Sequence, residues 1–146
     1  MNHKLIILII LSFFYNCNKT GLILDPDNGG LILPDDFRAL VVNEGVGESR
    51  HLAVNTNGDI YVKLRTDTGK NGNVALRDVD GDGKADIIKR FGDYPNDGRF
   101  ATEMKIHNGY LYYSSELVVY RQKLDKSKLI PDSKPEVLVI DPYPIR

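Results

Sequence analysis

The densest chemistry in the chain lies in one run, Asp78-Val79-Asp80-Gly81-Asp82-Gly83-Lys84-Ala85-Asp86. Carboxylates at alternate positions can fold inward around a single cation, and Gly83 permits the sharp turn between them. A calcium ion takes about six to eight oxygens at roughly 2.3–2.6 Å. Asp78, Asp80, Asp82, the Lys84 carbonyl and Asp86 supply the protein's share, with water completing the shell. The EF-hand form would need a bidentate Glu at the twelfth position, where Lys89 stands instead. Carboxylates packed this closely repel one another unless a cation sits among them. A solvated acidic turn is the simpler alternative. An ion held here, between two strands, is a staple rather than a catalyst.

Other reactive groups are sparse. One cysteine excludes an internal disulfide and a cysteine zinc site, and three histidines point any metal toward oxygen ligands. Nineteen Lys and Arg against twenty Asp and Glu give a net charge of −1. Bulk electrostatic binding of nucleic acid is therefore not expected, because counterion release needs a basic face. No Ser-His-Asp set and no phosphate-cradling glycine loop is visible. Arg50 and His51 open a candidate inner strand, and Arg99 precedes a second one. Each is either a channel-lining residue or an ordinary strand-end or loop side chain. His107 reads as a turn residue.

These groups must be positioned by strands. From Leu31 onward, short apolar and β-branched runs alternate with Asn, Asp and Gly, without sustained helical periodicity. The candidate strands are 37–43, 51–55, 59–65, 73–78 and 86–91, followed by 102–107, 110–115, 118–124 and 136–140. Asn57-Gly58 and Asn108-Gly109 each mark a tight hairpin. Tyr110, Tyr112 and Tyr113 alternate as a half-buried strand would, and Tyr110 and Tyr112 read as packing between blades rather than as a sugar-stacking platform.

The two series repeat. LAVNTNGDIYV (52–62) aligns with EMKIHNGYLYY (103–113) at an offset of 51 residues, and VALRDVD (74–80) aligns with VVYRQKLD (118–125) at 44. IIKRF (87–91) then matches VLVI (137–140). Four strands per unit and a period of about 45–50 residues are the mark of β-propeller blades. The expected fold is all-β, the first two four-stranded blades of a propeller. Residues 31–98 form blade 1 with the acidic loop, and 99–146 form blade 2. A propeller needs about four to eight blades to close, so the remaining blades are expected from a C-terminal region or another chain.

Leu5 to Tyr15 is almost wholly apolar. As a helix it spans about 16 Å, roughly half the hydrocarbon core, which suits a secretory h-region rather than a spanning helix. Cys17 follows and resembles the lipid-acceptor position of bacterial lipoproteins; an uncleaved anchor or a cut elsewhere is the alternative. The reading is a signal peptide over 1–16, diacylation at Cys17, and a membrane-anchored tether over 17–30, with the protein exported to the periplasm or cell envelope.

Leu33-Pro-Asp-Asp-Phe37-Arg38, Arg50-His51-Leu-Ala-Val, Asn57-Gly58-Asp-Ile-Tyr-Val62, Val74-Ala-Leu-Arg-Asp78 with the acidic run, and Gly109-Tyr-Leu-Tyr112 together resemble the start of glucose/sorbosone dehydrogenase-like proteins. The resemblance covers Leu31 to Arg146. It implies an exported six-bladed propeller that oxidises a sugar or polyol, passing hydride to pyrroloquinoline quinone beside a calcium ion. Under it, Arg50, His51 and Arg99 are the candidate cofactor contacts. The family's histidine base opens a third blade, which no residue here matches, so this segment alone is expected to be inactive. The family's catalytic calcium lies elsewhere in the ring and is not the Asp78–Asp86 loop. The competing reading is a non-enzymatic, calcium-stapled surface propeller that binds glycans or protein partners.

Overall fold

A computed structural model describes residues 21–65, 72–92, 103–115 and 117–142. Eight strands form: β1 (Ser49–Val54), β2 (Ile60–Leu64), β3 (Asn73–Arg77), β4 (Ile87–Phe91), β5 (Met104–His107), β6 (Tyr110–Ser114), β7 (Val118–Lys123) and β8 (Glu136–Ile140). They build two antiparallel sheets, ordered β1-β2-β3-β4 and β5-β6-β7-β8. This matches eight of the expected strands and both four-strand units. The first strands lie together, with β1 and β2 touching β5. Two sheets stacked with their leading strands adjacent are consistent with neighbouring propeller blades. Among the described residues no α-helix forms, and no helix is long and apolar enough to cross a membrane.

The two Asn-Gly hairpins solve the same problem differently. Asn108 and Gly109 both adopt positive φ, +48° and +76°, and join β5 to β6 as a two-residue turn. At the other hairpin only Gly58 is left-handed, at +91°. Its N–H donates to the Asn55 carbonyl at 3.0 Å, and Asn55 N–H bonds the Asp59 carbonyl at 2.8 Å. That is the three-residue class, a turn followed by a glycine bulge. Asp59 then accepts both Arg77 Nε at 2.6 Å and Nη2 at 2.7 Å, which ties the hairpin to the end of β3.

The seam between the sheets is apolar and aromatic. Tyr61, Ala75 and Phe91 from one side meet Met104, Leu111, Tyr113, Tyr120 and Leu129 from the other. Tyr61 and Phe91 meet edge to face at 6.0 Å, and Tyr113 stacks on Tyr120 at 5.7 Å, both favourable aromatic geometries. The polar ends are accommodated within the seam. Tyr61 donates to the Leu129 carbonyl at 3.0 Å, and Tyr113 donates to Gln122 Oε1 at 2.7 Å. Lys63 is wholly buried, with its ammonium donating to the Leu64 carbonyl at 3.0 Å. Each large apolar side chain buried this way contributes about 1.5–3 kcal/mol.

A second cluster, Val62, Leu64, Val74 and Leu76, occupies the opposite face of the first sheet. Val42 and Val46 from the preceding segment cover part of it, and Arg90 Nη2 bonds the Val46 carbonyl at 2.7 Å.

One expected strand is absent. No strand forms over 37–43, because its backbone groups bond several different partners instead of one ladder. Ala39 N–H goes to Asn28 Oδ1, Val41 N–H to Asp25 Oδ2, and the Val42 carbonyl to Ala85 N–H. The described part of the expected tether is folded against the acidic loop, with Ile23 N–H bonded to the Asp82 carbonyl at 2.7 Å. Tyr110 and Tyr112 do not enter the seam between these two sheets. Leu111 and Tyr113 take that role, and the tyrosines lie half-buried on the far face.

Candidate functional site

The acidic run joins β3 to β4, and Asp86 N–H bonds the Arg77 carbonyl at 2.9 Å to close its neck. Within that neck the carboxylates are fixed by the loop's own backbone. Asp78 accepts Gly81 N–H at 2.7 Å and Gly83 N–H at 2.9 Å, while Asp86 accepts Val79 N–H at 2.7 Å. Such Asx-type bonds orient each carboxylate and leave further lone pairs on its oxygens. One oxygen from each of Asp78, Asp80 and Asp86 lies within 4.8 Å of the others. Asp82 stands outside that group, with its carboxylate accepting Lys84 N–H at 2.7 Å. The Lys84 side chain turns away to Asp25 at 3.5 Å, so its expected part in the loop is its carbonyl alone.

Three exposed carboxylates from both ends of one loop are a donor set suited to a hard cation with several waters in its shell. Gly83 is held in place twice over. Its φ is +93°, and a Cβ there would lie 2.7 Å from Leu40 Cδ2 and 3.0 Å from Leu22 Cδ2. Asp25, Ile23 and Leu22 were not legible as parts of this loop. They sit more than 50 positions upstream, in a segment whose Asn and Gly content signals only turns.

Arg50 and His51 lie in β1, where the pairing with β2 is bulged between Ser49 and His51. They edge a groove of about 490 Å³ with Val42, Val46, Leu52 and Val62. This groove is on the outer face of the first sheet, under the segment bearing Val42 and Val46. Beside Arg50 and His51 the lining holds only Ser49, Asn43 and aliphatic side chains, and one guanidinium is too little positive charge for a quinone bearing three carboxylates, so no step is derived through that cofactor. Arg99 and Cys17 lie outside the described residues.

A second constellation occupies the far face of the sheet built from β5 to β8. Arg121 places its guanidinium 4.7 Å over the Tyr110 ring and bonds Glu136 Oε2 at 2.9 Å. Its bonds to Glu136 and Tyr112 hold the guanidinium above its ordinary pKa. Tyr110 and Tyr112 stand 6.4 Å apart with rings tilted by 55°. Alternation along β7 was the available signal, since 119, 121 and 123 must share one face. Asp59, by contrast, is structural. Burial alone would raise its pKa, but the Arg77 and Asn57 hydrogen bonds and the Arg77 charge together bring it below the usual 3.8.

No protein family, curated protein or solved structure matches the chain.

Proposed function

We propose that the chain is a calcium-stapled sheet module of the propeller type, carried at the cell surface, that binds carbohydrate rather than transforming it. The observation that carries this reading is the convergence of Asp78, Asp80 and Asp86 in a loop clamped by the upstream segment. An ion there ties β3, β4 and residues 22–25 together, so its role is to hold the module's edge. The expected signal peptide and lipid acceptor at Cys17 support the surface location. Differential scanning calorimetry of the whole chain tests the staple. Added calcium raises Tm, chelator reverses it, and Asp80→Ala abolishes the response. Identical melting in all three conditions refutes it. By linkage, calcium at 100 times its Kd stabilises by about 2.7 kcal/mol.

A second reading is the opening part of a six-bladed quinoprotein dehydrogenase acting on a sugar or polyol. The adjacency of β1 and β5 supports it, since the inner strands of neighbouring blades would lie side by side. Quinone-dependent, dye-linked aldose oxidation would be its signature.

A further inference from the structure

The two sheets use the same tyrosine in opposite ways. Aligning the hairpin glycines Gly58 and Gly109 makes Tyr61 the counterpart of Tyr112. In the first sheet the cross-strand row through that tyrosine is Ala53–Tyr61–Ala75. The small alanines let the neighbouring sheet approach, and Tyr61 is buried in the seam. In the second sheet the corresponding row is Lys105–Tyr112–Arg121, continuing to Glu136. The next row along is His107–Tyr110–Lys123. Each tyrosine therefore stands between two basic side chains. A third sheet docking there as the second docks on the first would have to bury three cations, Lys105, Arg121 and Lys123, where the first seam buries Lys63 alone on backbone carbonyls, which is costly without partners for each.

The charge on this face also differs from that of the chain. Lys105, Arg121 and Lys123 stand against two carboxylates, Glu136, which holds Arg121, and Asp125, whose charge acts on Lys123 and Lys128. Lys105, His107 and Lys123 are exposed, and the tyrosines are half-exposed. Beyond β7, Asp125 also accepts Ser127 N–H and Oγ–H, which leaves three full cations on the face against these two carboxylates. A locally positive, ring-bearing surface on a chain of net charge −1 selects an anion with a flat apolar face.

We infer that the far face of the second sheet binds an acidic glycan, with a uronate ring on Tyr112 and carboxylates against Lys105 and Lys123. The inference rests on the carbohydrate-binding reading above and supplies its ligand class and location. A single-stranded nucleic acid is the rival polyanion. Sequential base stacking favours successive open rings, whereas Arg121 already covers Tyr110 here.

Isothermal titration of the whole calcium-loaded chain with a short oligogalacturonide tests this. The neutral maltooligosaccharide and an oligothymidylate serve as comparison ligands. The uronate is expected to bind with an affinity that falls with salt, and the neutral sugar to bind about tenfold more weakly or not at all. Lys105→Glu and Tyr112→Ala should each weaken uronate binding about tenfold, with unchanged circular dichroism. Leu52→Ala, on the outer face of the other sheet, should leave it intact. Lys105→Glu changes only an exposed side chain, so it decides the matter even if Tyr112→Ala fails to fold. Absence of uronate binding, equal binding of the neutral sugar, survival of binding in Lys105→Glu, or tighter binding of the oligothymidylate overturns the inference. Melting with and without chelator, run on the same samples, shows separately whether the calcium staple stands.

Discussion

Replacing Tyr61 by phenylalanine tests the seam that joins the two sheets. The ring, 1% exposed, stays in place, and only the hydroxyl that donates to the Leu129 carbonyl at 3.0 Å is lost. A net hydrogen bond contributes about 0.5–1.5 kcal/mol, and a buried acceptor left without its donor costs about 1–3 kcal/mol. The expected loss at pH 7 is about 1–2 kcal/mol, which for a chain of this length lowers Tm by roughly 3–10 °C. The same substitution should act oppositely in alkali. Burial, aided by the Asp59 charge, pushes the Tyr61 hydroxyl from 10.0 up to about 12. Between those values the unfolded chain ionises while the folded one stays neutral. The stability tied to this proton is complete below pH 10 and is lost as pH rises toward 12. Phenylalanine has no proton to lose, so the variant's stability should fall less steeply there, by about 1.4 kcal/mol per pH unit. The limb does not vanish, because burial and Tyr120 also raise Tyr113. Urea unfolding at neutral pH and in steps through the alkaline range measures both effects. Coincident curves at neutral pH, or equal alkaline slopes, would refute a buried hydroxyl at this seam.

Two further perturbations separate local from long-range effects. Asp59→Asn removes the charge from the bidentate contact with Arg77 and should cost about 2–3 kcal/mol at neutral pH. Asp59's carboxyl titrates below 3.8, so its stabilisation is present above that value and lost as pH falls through the lowered one. The variant's acid unfolding limb should accordingly be shallower, and an unchanged limb in urea titrations would exclude this role. Gly83→Ala should destabilise by about 1–3 kcal/mol through its positive φ and its approach to Leu40. Gly58→Ala, also at positive φ but with nothing within 4 Å of its Cβ, isolates the backbone share. Equal melting of the two variants would show that the Leu40 contact adds nothing.

Strand placement was legible because it depends on alternation and turn residues. Val74-Ala-Leu-Arg77 and Tyr110-Leu-Tyr-Tyr-Ser114 read as strands from composition alone, and the repeat at an offset of 51 predicted two like sheets. The stretch 37–43 has the same composition and is not a strand. What decides it is whether one neighbour offers a continuous ladder, and its partners lie in two segments, Asp25 and Asn28 in one turn and Ala85 in the acidic loop. The acidic loop was legible as a donor set. Which three carboxylates converge was not, because every one of them bonds nearby backbone N–H groups and only the folded loop decides which oxygens come together.

Local spacing thus determined the strands, the hairpins and the carboxylate run, since each depends on residues a few positions apart. Only the tertiary structure decided which side of each strand meets the other sheet. Period-two alternation defines two faces without saying which is covered. That choice buried Leu111 and Tyr113 and left Tyr110, Tyr112 and Arg121 on the open side. It also brought Ile23 and Asp25 onto the acidic loop, a contact between distant segments that no short-range pattern encodes.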